Sequence, residues 1–477
     1  MVESPDLKRD SPVQQDALFA YTAQTLIKTL RKVEKLLQRH ASPAQEPAWE
    51  DGAFIVPFKD EVDPLLWLRQ CRETPRFYWS NRDGSMQVAA CGIAYGVAHT
   101  PQNEGHMQAL QDIFPVLGER THAYTVLYFD ANKPSSPLWK EFDHTCLFVP
   151  LLEAIYKHGQ WKLYCNVFFG KDNLQLLNRT RQALRILLPM TQPIKMVEPS
   201  ICVPWELCHQ IPQMPGWKCH VKQALNRIAG RHMHKVVLAR QQVLRSSNDV
   251  VDPLQVFLRT RQHAPSNCFS FFWQPSQQQA FMGFSPERLY TRRNSRLYTE
   301  AVAGTRPLGE DASQNALWRQ ELLASTKDGH EQQQVTDFLQ RALGQLCSEH
   351  CTGERTVLQA GHVQHLVTPL EGDLHSHVTD ADILSCLHPT PAVCGNPRDK
   401  AQEFIAAQEG FDRGCYGGVI GYVGKKEAEF AVAIRSALLV KNQLHVFAGA
   451  GIVEGSDPLS EWEETQSKMG VFAHLLD

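Results

Sequence analysis

The chain has no excess of charge of either sign: 48 Lys and Arg stand against 51 Asp and Glu, a formal net charge of −3. Without such an excess there is no long-range attraction toward nucleic acid or an anionic membrane surface. Long apolar runs are missing too, and none nears the roughly 18 uninterrupted apolar residues of a membrane span. The first ten residues carry Glu3, Asp6, Lys8, Arg9 and Asp10 and no apolar stretch suited to a signal peptide. Several signatures are absent as well. There is no GxxxxGK[ST] and no GxSxG, and the glycines from Gly449 to Gly455 follow GxGxxxG spacing, outside the strand–turn–helix setting of a dinucleotide site. Cysteines number 13, but an odd count at irregular spacing does not build a disulfide framework. Cys347-Ser-Glu-His350-Cys351 and His232-Met-His234 lack a second half at structural-zinc spacing. A soluble cytoplasmic protein with reduced thiols is expected, with neither nucleic acid nor a membrane span among its partners.

What is present is an ordinary globular composition, 43% hydrophobic and 21% charged over 477 residues. Length alone allows two to four domains. Ser11-Pro12 opens a predicted helix in which Phe19, Leu26, Leu30, Val33 and Leu37 recur at helical spacing, ending near His40. The residues 41–52 read as a connector. Strands are predicted at 123–129 and 163–169 and a helix at 174–188, with prolines 189, 193, 199 and 204 marking a junction. Beyond it, 236–238, 268–273, 280–284, 416–423, 430–440 and 444–447 read as strands, the last two joined by a turn at 441–443. Helices are predicted at 316–346, broken near Lys327, and at 458–476.

The last helix carries chemistry on one face. Glu461, Glu464 and Lys468 lie at i, i+3 and i+7, continued by Val471, Phe472 and Leu475. Stacked carboxylates repel unless a cation lies beside them, which suits a hard metal such as Mg2+. A solvated face with Lys468 pairing Glu464 is the other reading. Glu331 heads a second stripe, Val335, Phe338, Ala342 and Leu346, with Asp328 one turn earlier. A carboxylate aimed at a core needs a partner. The glycines near Gly449 would let the backbone approach a small carboxylate closely.

Several segments together resemble the chorismate-utilising enzyme family. They are Lys235-Val-Val-Leu-Ala-Arg240, Phe284-Ser-Pro-Glu287-Arg288, Ala303-Gly304-Thr305-Arg306 and Lys327-Asp-Gly-His-Glu331. His365-Leu366, His388-Pro-Thr-Pro-Ala-Val-Cys-Gly395, Tyr416-Gly-Gly418, Ala433-Ile-Arg435-Ser436, Gly449-Ala-Gly-Ile452 and Glu461-Trp-Glu-Glu464-Thr-x-x-Lys468 follow in the family's order. The resemblance implies an α+β fold of stacked, largely antiparallel β-sheets flanked by helices. It makes 200–477 the chorismate-binding catalytic region and 1–199 the variable N-terminal portion of one continuous domain, which reduces the estimate drawn from length.

Within the family, members with Lys at the place of Lys235 add water, and aminating members have Gln there. Ala303 stands where the aminodeoxychorismate branch often has Lys. The resemblance therefore implies isochorismate synthesis, of the menaquinone or siderophore type, with salicylate synthase or an inactive chorismate-binding protein as alternatives. Adding hydroxyl at C2 of chorismate while the C4 hydroxyl leaves requires a base and an acid. Lys235 would be the base, as the free amine that desolvation or nearby cations favour, and Glu287 the acid, kept protonated by an apolar setting. Mg2+ would be held by Glu331 and Glu464, with Glu461 direct or through water. Gly304, Thr305, His365, Tyr416, Arg435, Gly449, Gly451 and Lys468 would bind substrate. Taken singly, each has a plainer reading: Lys235 at a solvated strand edge, Glu287 paired with Arg288, His365 in the core, Arg435 as a structural anchor. The chain departs from the family's KDRxEH pattern at Gly329 and Gln332; Gln332 is expected to hydrogen-bond the Glu331 carboxylate. A monomer or weak homodimer is expected.

Overall fold

A computed structural model describes residues 12–38, 49–50, 53–58, 63–97, 105–130, 136–144, 147–167, 173–191, 204–309, 311–360 and 363–476. The predicted connector falls mostly outside these residues, as do 192–203 within the proline-marked junction. The chain divides into two compact units: Met1–Ser80, Gly84–Tyr95 and Val149–Ile201 form the first, and Asn81–Asp83, Gly96–Phe148 and Cys202–Asp477 the second.

In the first unit the helix Pro12–Gln38 buries Leu26, Leu30, Val33 and Leu37, the stripe its spacing predicts, and packs on the helix Asn173–Leu187. Arg181 Nε donates to Glu34 across that contact at 2.9 Å. Antiparallel pairs Ala53–Pro57 with Gln160–Cys165, and Arg76–Ser80 with Met86–Val97, supply its strands.

The second unit is built from two antiparallel runs of strands. One joins Trp205–Ile211, Lys235–Ser246, Gln443–Ile452, Ser436–Val440, Gln279–Ser285 and Phe269–Ser276 in spatial order. The other joins Ala123–Leu127, Val419–Val423, Glu427–Val432, Arg288–Arg293, Arg296–Pro307 and Val363–Leu374. The fold is thus α+β, with stacked, largely antiparallel sheets flanked by helices. The strand predicted over 430–440 is two strands, because the chain leaves the second run after Val432 and enters the first at Ser436. It crosses the other way between Ser285 and Arg288. These two corners bond to each other: Val432 N donates to the Glu287 carbonyl at 3.0 Å, and Phe284 N to that of Arg435 at 3.1 Å. Glu287 and Arg435, two residues singled out from sequence, sit one at each corner.

Three other predicted boundaries move. The strand expected from residue 416 starts at Val419 and leaves Tyr416 in the preceding turn. The helix expected over 316–346 starts earlier, at Ala312, and its break lies close to the Lys327 expected: it is two helices, Ala312–Ala324 and Thr326–Leu346, sharing Ser325 as a cap. The last helix is α-helical over Pro458–Met469 and tightens to a 3-10 turn over Gly470–Leu475, which still buries Val471, Phe472 and Leu475.

Alternation along the Lys235–Ser246 strand sets the site against the core. Val236 and Leu238 join Trp217, Cys394, Ile405 and Ile452 in an apolar cluster, so Lys235 and Val237 face the other way. Arg413 holds this strand to its neighbours. Its guanidinium donates to the Val237 carbonyl (2.7 Å) and the Val393 carbonyl (2.9 Å), and it pairs with the equally buried Glu409, which accepts Ala239 N–H at 2.8 Å. Arg413→Met strands the Glu409 carboxylate without its cation. It should lower unfolding free energy by about 3–5 kcal/mol, read as a shift in the denaturant midpoint.

Candidate active site

Behind the two corners lies a cavity of about 310 Å3 in the second unit. Its lining gathers Lys235, Glu287, Gly304, Glu331, His365, Tyr416, Arg435, Gly449, Gly451, Glu461, Glu464 and Lys468, residues spread over more than two hundred positions of sequence. Thr305 pairs with His365 through the strand backbone, and its side chain lies outside the described residues.

Lys235 is fully buried, and its Nζ donates to Glu331 Oε1 at 2.8 Å. Gly451 makes that ion pair possible. A Cβ there would lie 2.6 Å from Glu331 Oε1 and 3.0 Å from Lys235 Cε. Gly449 serves Tyr416 in the same way, since its Cβ would come within 2.9 Å of the phenol oxygen. The tyrosine ring itself stacks on Phe447 at 5.3 Å.

Glu287 also lines the cavity. It does not pair with Arg288, whose guanidinium turns away to Glu429 and Glu300. Burial raises the Glu287 carboxyl to about 7, against the pull of Lys235, Lys468 and Arg82. A carboxyl at that value is substantially protonated near neutrality.

His365 is locked by its partners. Its Nδ1 donates to the Gly304 carbonyl at 3.1 Å, a group that can only accept, which leaves Nε2 as the acceptor facing Arg435 Nη2 at 3.5 Å. Burial, reinforced by Arg435, lowers the imidazole to about 3 and keeps it neutral. Arg435 has a φ of 51°, in the left-handed region that a branched-free but non-glycine residue seldom takes. The corner thus turns the guanidinium into the cavity, where a carboxylate would find a bidentate partner.

Three carboxylates come from two helices. Glu331 lies near the start of Thr326–Leu346; Glu461 and Glu464 lie on Pro458–Met469, which Asp457 caps by accepting from Leu459 N and Ser460 N. Each is matched to a lysine: Glu331 to Lys235, Glu461 to Lys327 at 3.1 Å and Glu464 to Lys468 at 2.6 Å. Burial and the Glu464 charge raise Glu461 above its ordinary range, while Lys327 works in the other direction. Desolvation opposes ionisation of Glu464, yet Lys468 holds it below the ordinary range. Lys468 Nζ also donates to the Gly449 carbonyl at 2.9 Å, tying the last helix to the glycine strand.

This oxygen-only set fits Mg2+ in chemistry. Among the described residues no three His, Cys, Asp or Glu side chains stand close enough to form a closed metal cage. Mg2+ does not need one, because it takes one or two carboxylates and keeps several waters or substrate oxygens. Gln332 does not serve this set as expected. It is fully buried on the far side of the helix and donates to Thr368 Oγ1 at 2.9 Å, because one residue along a helix turns the side chain by about 100°. Asp328 pairs with Arg306 at 2.7 Å. Lys327 and Arg306 also line the cavity, although nothing in their local motifs marks them as site residues. Among the described residues no helix is long and apolar enough to cross a membrane.

Known proteins resemble this chain over most of its length. Residues 50–477 match the chorismate binding enzyme family. The chain is 33% identical over 470 residues to the chloroplastic isochorismate synthase of Catharanthus roseus, covering 88% of this chain and 80% of that protein. It is 37% identical over 418 residues to the isochorismate synthase MenF of Pasteurella multocida, covering 86% and 90%. The solved structure of MenF, the menaquinone-specific isochorismate synthase from Escherichia coli, matches with a TM-score of 0.77 at 29% identity, over 94% of this chain and 100% of that one. Matched over residues 50–477, and with relatives more than 30% identical over most of both lengths, the chain belongs to the chorismate binding enzyme family.

Proposed function

We propose that this protein is an isochorismate synthase, isomerising chorismate to isochorismate by adding water at C2 as the C4 hydroxyl leaves. The observation that carries this reading is that Lys235 and Glu287, a basic and an acidic group, both line one cavity of about 310 Å3. The catalytic region is taken as 200–477 and its variable N-terminal portion as 1–199.

Lys235 takes a proton from the attacking water, which requires that its Nζ first leave Glu331, to which it donates at 2.8 Å, and give up a proton. Glu287 gives its proton to the departing C4 oxygen, and a second water leaves. One water enters and one is expelled, so substrate and product are isomers, and the proton gained by Lys235 returns to Glu287 between turnovers. Arg435, held by the His365 acceptor, grips the enolpyruvyl carboxylate, with Tyr416 and the backbone at Gly449 beside it. Glu331 and Glu464 would hold Mg2+, with Glu461 direct or through water, and the ion when bound supplies positive charge for the ring carboxylate. Lys468 adds a cation on that side.

The test is product analysis of chorismate incubated with the protein and Mg2+, with and without ammonium. Isochorismate is the expected product in both. Salicylate with pyruvate would replace this reading by salicylate synthase. Anthranilate formed only with ammonium would mean that Lys235 does not select water. Binding without turnover would make the protein a chorismate-binding module.

A further inference from the structure

Glu287 occupies a corner whose backbone is fastened by its neighbours. Its own N–H donates to Ser285 Oγ at 3.1 Å, and the next N–H, that of Arg288, donates to Glu300 Oε1 at 3.3 Å. The Arg288 guanidinium reaches Glu429 at 3.3 Å. Glu300 is in turn ion-paired with Arg82, from the short 81–83 segment that belongs to the second unit although it lies far upstream in sequence. Arg82 and Arg288 both lie against the Phe269 ring, at 5.3 and 5.7 Å from its centroid. The arginines thus alternate with Glu300 and Glu429 in a cluster beside the corner, largely buried except for Arg288, whose side chain is 29% exposed. A buried charge pair of this kind is costly to break and holds its surroundings in one arrangement.

We propose that Arg82 is a positioning residue for Glu287, fastening its corner through Glu300 and setting a fixed cation behind it. This rests on the reading of Glu287 as the proton donor. Arg82 touches neither substrate nor the reacting atoms; it acts through the Glu300–Arg288 link and through its charge. The cations facing Glu287 are Lys235 from the strand, Lys468 from the last helix and Arg82, while Glu331, Glu464, His365 and Arg435 share its cavity. Of the three cations, Arg82 alone stands outside the cavity lining, so it can be altered without removing a group that meets the substrate.

The experiment is an infrared titration of the Glu287 carboxyl in the full chain, its band identified by disappearance in Glu287→Gln, with the pH profile of kcat recorded beside it. Arg82→Gln should raise the carboxyl midpoint by about one pH unit, because a neighbouring cation favours the carboxylate. Arg82→Lys should keep the wild-type midpoint. Glu300→Gln, which leaves the Arg82 charge uncompensated, should lower it. A purely structural role would not move the two neutralising variants in opposite directions. An unchanged midpoint in folded Arg82→Gln overturns the proposal, and if that variant does not fold, an unchanged or raised midpoint in Glu300→Gln does so. If the midpoints move as stated and the kcat limb does not follow, the Arg82 assignment stands and Glu287 is not the acid. If wild-type kcat follows Glu287 and no Arg82 or Glu300 variant moves either, Arg82 falls and Glu287 keeps its role.

Discussion

Glu287→Gln should lower kcat for isochorismate formation by about 10^3-fold while leaving chorismate affinity within about threefold of wild type. Gln keeps the size and a hydrogen-bond donor, but it has no proton to surrender to a departing hydroxide. The substitution removes no ion pair, since Arg288 is engaged by Glu300 and Glu429, so fold and cavity should survive. The direction of the pH dependence follows. Burial raises the Glu287 carboxyl to about 7, and the acid must be protonated to act, so wild-type kcat should fall as pH rises through that value. Gln does not titrate, and the residual rate of the variant should lack that limb. Stopped-assay kcat across pH 5.5–9 (about) and equilibrium binding of chorismate by fluorescence quenching measure both quantities. A kcat near wild type would remove Glu287 from the chemistry, and a large loss of binding with kcat retained would make it a substrate-holding group.

Much of the site could be read before any coordinates, for reasons that differ by element. Helical period placed Glu331 in line with Val335, Ala342 and Leu346, all buried, so its carboxylate had to point at the same neighbourhood. The same period joined Glu461, Glu464 and Lys468 to Val471, Phe472 and Leu475. Strand alternation separates Lys235 and Val237 from Val236 and Leu238. What local sequence does not disclose is an environment made by distant chain. Ala433-Ile434-Arg435 continues an apolar, strand-forming run without Gly or Pro, so no local residue announces the corner there. Tertiary bonds between Phe284 and Arg435 and between Val432 and Glu287 impose it. Lys327 meets Glu461 across 134 positions of sequence and Arg82 meets Glu300 across 218, separations that no local period can encode. Gln332 is the opposite case: adjacency in sequence to Glu331 points to a contact that the helix turns apart.

Lys235→Met should be the second severe variant, with kcat reduced by about 10^3-fold or more and chorismate still bound. Met fills nearly the same volume as the lysine stem, so the fully buried position is not emptied, and Val236 and Leu238 keep their packing on the other face. What disappears is the amine. Without it, water at C2 has no base, while Arg435, Tyr416 and the glycine strand can still hold the substrate carboxylate. A second consequence separates this role from a merely structural one. In the wild type Glu331 accepts from Lys235 Nζ at 2.8 Å, and in the variant that oxygen has lost its counter-charge. Glu331 should then attract a divalent cation more strongly, giving a lower Kd for Mn2+ by electron paramagnetic resonance titration, by about three- to tenfold. Lost turnover with tighter Mn2+ binding identifies Lys235 as the base that also balances Glu331. Lost turnover with weakened Mn2+ binding would instead mean that the lysine holds the carboxylates in place. Retained turnover would take Lys235 out of the mechanism altogether.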